Sequence, residues 1–215
     1  ARYLKSLRRL GAALPRYYAT SHFSLGNYLT LISGQAPNPA TNMDCEVFED
    51  FVSTGLTADG QAVGHGCVYP AHVGTIANQL ERAHLTWKGY MEDMGNDPRR
   101  ESATCGHPAV GAPDLTQEAQ RGDQYAARHD PFVYFHALID FPTCAQHVVN
   151  LDGLAADLRA LDTTPNYAFI TPNLCNDGHD GGGKARCVDG EPGGLVSADR
   201  FLQRLVPLIL ASPAY

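Results

Sequence analysis

What the chain lacks narrows its chemistry first. Lys and Arg number 16 against 23 Asp and Glu, a formal net charge of -7, so no overall basic excess is available to neutralise a nucleic-acid backbone. There is no apolar run of the length a bilayer core requires, which removes a membrane-spanning helix. Internal repeats and low-complexity linkers are missing too. The 215 residues with 44% hydrophobic content therefore read as one domain, 1–215, with a full core. Ala1-Arg2-Tyr3-Leu4 leads straight into a helical pattern rather than a signal peptide, so either a signal is expected to have been removed or the chain to be a piece of something longer.

No two of the six cysteines form a Cys-x-x-Cys pair, which argues against zinc ribbons and thioredoxin-type redox chemistry. No cysteine has the helix-start setting that activates a thiolate, so a cysteine hydrolase is a weak reading. An even number at wide spacing suits three disulfides in an oxidising compartment, hence a secreted or extracytoplasmic protein. Sequential pairing, Cys45–Cys67, Cys105–Cys144 and Cys175–Cys187, is expected because each pair brackets a loop rich in Gly, Pro or Asp.

The pattern of what is present predicts α/β architecture with a largely parallel sheet flanked by helices. Helices are expected from Tyr3 to Leu10, ending at Gly11, and from Ser24 to Ser33, ending at Gly34. Further helices are expected over Gly74–Leu85, Leu151–Leu161 and Ser197–Ala211. The last has Ser197 as N-cap, Asp199 in its first turn and a kink or break at Pro207. Strands are expected over Ala12–Thr20, Thr86–Met91, Phe132–Phe135 and Tyr167–Ile170, whereas 35–70 and 92–127 read as long irregular excursions.

Two polar clusters follow expected strands directly, and ligands of such sheets bind at the carboxyl ends of strands. The first is Ser21-His22-Phe23-Ser24-Leu25-Gly26-Asn27. A serine at a helix start sits beside unpaired backbone N–H groups that favour an oxyanion or a phosphate. The same serine could equally be an ordinary helix cap. Asn27 could donate its amide to a phosphate oxygen. The second cluster is Asn176-Asp177-Gly178-His179-Asp180, running into Gly181-Gly182-Gly183. Asp177, His179 and Asp180 offer oxygen and nitrogen ligands suited to zinc, manganese or iron(II) more than calcium; a solvated turn is the plainer alternative. Arg128-His129-Asp130-Pro131 adds an imidazole and a guanidinium able to clamp a phosphate. His107 could line the same loop.

In order, these segments resemble the phosphoesterase family of secreted acid phosphatases and phospholipase C-type enzymes, a branch of the alkaline phosphatase superfamily, and in particular its smaller bacterial members, which include phosphatidylinositol-phosphate phosphatases. Tyr17 to Gly34 is similar to the family's YYAxxHPSxPNYLxLxSG segment, with Phe23 and Gly26 in place of two prolines. Arg128–Pro131 matches R/K-H-N/D-P, and Phe169–Asp180 matches F-x-x-P-N-L-x-N-D-x-H-D. The resemblance implies an alkaline-phosphatase-like fold and metal-dependent hydrolysis of phosphate esters. Ser24 would be nucleophile and metal ligand, and Asn27 an oxyanion-binding amide. Asp177, His179 and Asp180 would lie on the metal side, with His22 and His129 in support. The implied substrate is a small phosphorylated molecule or a phospholipid headgroup, cleaved by a phosphomonoesterase or by a phosphodiesterase of phospholipase C type. The family's upstream Glu-Asn pair and downstream Asp-Glu pair are not found, so the chain is expected to be the central part of a longer catalytic domain without its first and last strands. A disulfide-stapled binding protein without metal or catalysis is the competing reading.

Overall fold

A computed structural model describes residues 1–183 and 185–215. Helix α1 (Arg2–Leu7) is short and packs against the last helix. Residues 11–20 then run exposed and without regular structure. The strand expected at Ala12–Thr20 is therefore absent: Pro15 lacks a donor, and no neighbouring strand is there to pair with it.

Helix α2 (Ser24–Ser33) buries Leu25, Leu29 and Ile32, spaced four and then three residues apart along one stripe. It ends at Gly34, where φ of 70° closes the helix in the left-handed conformation that glycine tolerates. The loop-rich stretch after it holds an antiparallel hairpin, β1 (Val52–Leu56) and β2 (Ala62–His65). Every β1 residue is exposed, so no alternation of apolar and polar residues announced the strand. Helix α3 (Ile76–Arg82) starts at a reciprocal cap between Thr75 and Asn78, inside the expected span.

The sheet is built on β3 (Trp87–Met91), the central strand, with β4 (Val148–Asn150) and β5 (Tyr167–Thr171) both parallel to it. The order is β4-β3-β5. The strand expected at Phe132–Phe135 is instead a tight 3₁₀ turn over Pro131–Tyr134. Asp130 accepts the Phe132 N–H and Pro131 opens the turn, both helix-starting signals. Phe132 through Phe135 are fully buried, and burial on all sides gives a turn the same apolar signature as a core strand.

Small helices α4 (His136–Ile139) and α5 (Cys144–His147) connect to β4. The long helix expected over Leu151–Leu161 reduces to a 3₁₀ turn at Leu151–Gly153 and the single turn α6 (Leu154–Asp157). Helix α7 (Gly194–Leu210) begins earlier than expected, with Gly193 as N-cap, and runs through Pro207. Ser197 is thus inside the helix, and its buried hydroxyl accepts the Gly193 N–H at 3.0 Å. Asp199 serves the other end of the chain: its carboxylate accepts the N–H groups of Tyr3 and Leu4, capping α1.

The three disulfides pair as expected, Cys45–Cys67, Cys105–Cys144 and Cys175–Cys187. The main core joins Leu25 and Leu29 of α2 to Trp87, Phe132 and Tyr134. Among the described residues no helix is long and apolar enough to cross a membrane.

Candidate active site at the carboxyl ends of β3 and β5

Ser24 is the first residue of α2, and the cap position belongs to Phe23, whose φ of -79° and ψ of 162° are extended. The capping alternative for Ser24 therefore falls. Asn27 shapes the approach to it. Its Oδ1 accepts the N–H groups of Thr20 (2.8 Å) and Ser21 (3.0 Å), and its Nδ2 donates to the carbonyls of Ser21 and Phe23. All of these bonds go to the backbone leading into Ser24, so the amide holds that turn. His22 is exposed, edge-on to Phe23 at 5.6 Å.

One helical turn beyond Ser24, Tyr28 stacks on His129 with ring centroids 5.0 Å apart. Residues four apart share a helix face, so this stack turns the Ser24 face of α2 toward His129. His129 is held from the sheet side, where Thr171 at the end of β5 donates its hydroxyl to the His129 carbonyl. Its Nδ1 is buried, has no hydrogen-bond partner among the described residues, and lies 3.9 Å from Oδ2 of Asp177. Burial, with Arg128 and His179 nearby, pushes the His129 pKa down to about 3, so the imidazole is neutral. Burial likewise raises Asp177, against the backbone N–H groups of His179 and Asp180 that its carboxylate accepts. Burial and then Asp177 push Tyr28 up to about 12.

Carboxylates that the sequence reading passed over support this arrangement. Glu92 and Asp93 follow β3 directly and bind the other loop: Glu92 accepts the Asn173 N–H and the Asn176 amide, and Asp93 accepts the Asn173 amide. The signal was an acidic pair placed straight after a buried strand. Asp44 accepts the Leu25 N–H at 2.8 Å, at the start of α2, and its other oxygen lies 3.7 Å from Nε of Arg128. Arg128 also donates to the Gln117 carbonyl. The guanidinium expected to clamp a phosphate is thus tied to the protein, and an Asp beside a loop cysteine gave little warning of it. His107 stacks on Phe48 and donates to the Pro108 carbonyl, engaged with the core.

The Asp177-Gly178-His179-Asp180 turn does not close on one point. His179 faces solvent and bonds Asp180 at 2.8 Å, while Asp177 folds inward to His129. Among the described residues no group of three or more His, Cys, Asp or Glu side chains is placed to hold a metal. His129 Nδ1 and Asp177 Oδ2 are the donors that converge, short of the roughly three protein ligands a catalytic zinc site uses. The residues present do not by themselves fit a metal centre.

The Phosphoesterase family model matches residues 1–187. The chain belongs to the Phosphoesterase family. Its similarity to a phosphate-repressible acid phosphatase of Penicillium chrysogenum is 28% identity over 177 residues, covering 82% of this chain and 34% of that protein. An acid phosphatase of Aspergillus fumigatus is 25% identical over 177 residues, covering 82% and 32%. A phosphatidylinositol-3-phosphatase of Mycobacterium tuberculosis is 26% identical over 187 residues, covering 84% and 45%. The chain spans about a third of the length of the fungal relatives. The three disulfides of this phosphoesterase-family chain fit an extracytoplasmic setting.

Proposed function

We propose that the protein hydrolyses phosphate monoesters in the manner of an acid phosphatase, with Ser24 as nucleophile. The observation that carries this reading is the Tyr28–His129 stack, which sets the Ser24 face of α2 against the buried His129–Asp177 pair. The Ser24 oxygen attacks phosphorus, the ester oxygen leaves with a proton, and water then hydrolyses the phosphoserine. The α2 N-terminus favours the negative charge of the reacting phosphoryl group. His129, neutral with Nδ1 unbonded, is the group suited to exchange a proton or hydrogen bond with the substrate. Asn27 holds the Ser24 turn.

The names of the relatives suggest small phosphate monoesters, phosphoinositide headgroups included, as the substrate class. A divalent ion belongs to the proposal as well. Asp177, whose carboxylate faces His129, is the ligand these residues offer it, and further ligands, with the remaining strands of an alkaline-phosphatase-like sheet, would come from beyond these residues. No step above depends on the ion. Release of 4-nitrophenol from its phosphate ester tests the reading: wild type turns over, and Ser24→Ala lowers kcat by at least about 10³-fold. Full activity in Ser24→Ala removes the nucleophile assignment. No turnover by the wild type, with or without added divalent metal, favours the non-catalytic binding protein.

A further inference from the structure

Charge is unevenly spread along the chain. Between Ala1 and Met43 lie five basic residues, Arg2, Lys5, Arg8, Arg9 and Arg16, and no Asp or Glu, in a protein whose net charge is -7. None of the five enters an ion pair among the described residues. The same stretch exposes large apolar side chains: Leu10 and Leu14 are each 71% exposed, Tyr17 68% and Tyr18 78%. Tyr17 and Tyr18 join Leu31 of α2 along a shallow groove of about 280 Å³, so the apolar surface continues onto the helix.

Leucine and tyrosine interleaved with unpaired arginine is the composition of a segment that lies in a membrane interface. Aliphatic groups enter the acyl boundary, tyrosines sit at headgroup level, and guanidinium groups meet anionic lipid. An acidic protein partner would match the arginines alone. Leu10 and Leu14 precede Arg16, and Tyr17 and Tyr18 follow it, all exposed along a segment without regular structure, and an anionic lipid surface takes up both the apolar and the basic groups.

We propose that residues 8–23 and the outer face of α2 form a docking surface for an anionic lipid bilayer. Arg8, Arg9 and Arg16 supply the charge, and Leu10, Leu14, Tyr17 and Tyr18 the inserted groups. Because the segment leads directly into Ser24, docking brings the start of α2 to the headgroup layer. That last consequence, unlike the docking itself, rests on the phosphatase reading.

Flotation of the natively purified full protein with vesicles tests the surface. The expected result is co-flotation with phosphatidylcholine–phosphatidylserine vesicles, weakened by salt, and little with phosphatidylcholine alone. Each basic residue near an anionic surface changes partitioning about fivefold, so Arg8→Glu with Arg9→Glu lowers binding by well over tenfold. Leu14→Ser with Tyr18→Ser lowers binding in the presence and absence of salt. All four positions are exposed, so folding is preserved, and hydrolysis of a soluble aryl phosphate is unchanged in these variants. Failure of the wild type to float with anionic vesicles overturns the proposal, as does equal binding to both vesicle types. Protection of Tyr17 and Tyr18 from surface labelling in the lipid-free protein, by another part of the chain, a second copy or a bound acidic protein, overturns it too.

Discussion

Nδ1 of His129 and Oδ2 of Asp177 face each other across 3.9 Å, with the His129 nitrogen buried and unbonded. The distance is too long for a hydrogen bond, so neither group satisfies the other. A buried imidazole with an open nitrogen is costly to keep, and here it lies beside the serine helix, where proton exchange is useful.

His129→Gln keeps the size and neutrality of the side chain and removes the ring nitrogen. Turnover of an aryl phosphate should fall about 10²–10⁴-fold, the range for losing a general acid or base. Substrate affinity should change little, because the imidazole is uncharged in the resting protein. A steady-state comparison of kcat and KM checks both parts. A loss confined to KM would reassign His129 to binding.

Asp44→Ala removes the acceptor of the Leu25 N–H at the start of α2 and the carboxylate beside Arg128. The expected cost is about 1–2 kcal/mol of stability, as for a lost helix cap. Urea denaturation monitored by circular dichroism measures it. Activity should fall as well, since the same contact fixes the helix that presents Ser24.

His136 bonds Asp140 through Nδ1 and Asp50 through Nε2, both at 2.8 Å, tying α4 to the segment before β1. Burial pulls its pKa down, but the hydrogen bonds and charges of Asp140 and Asp50 outweigh that and raise it. A raised histidine stabilises the fold fully below its unfolded value, near 6.5, and loses that contribution as pH rises through the folded value. Thermal unfolding of the wild type should therefore weaken from mildly acid to mildly alkaline pH. His136→Gln should flatten that slope; an unchanged slope would place the dependence elsewhere.

Local signals were readable wherever one short stretch fixed its own structure. Helix α2 followed from the apolar residues Leu29, Leu31 and Ile32 stopping at Ser33-Gly34, and the disulfides followed from the loops they close. Phe132–Phe135 was misread because a fully buried turn and a buried strand carry the same apolar run. The hairpin β1–β2 was invisible for the opposite reason, with nothing buried on β1.

The site divided along the same line. Ser24, His129 and Asp177 were legible as residue types in motifs. The meeting of His129 with Asp177 and with α2 depends on Tyr28, Thr171, Glu92 and Asp93, whose roles exist only once β3, β5 and α2 converge. Asp199 shows the limit clearly: it read as a first-turn acid of its own helix and instead caps α1.

Acid-quenched mixing of the protein with an aryl phosphate, followed by peptide mass spectrometry, tests the central claim most directly. The account predicts a phosphoryl group on the peptide carrying Ser24, formed within the first turnover and absent from Ser24→Ala and from controls without substrate. Steady hydrolysis with no phosphoryl group on that peptide, or with the group on another residue, would contradict it.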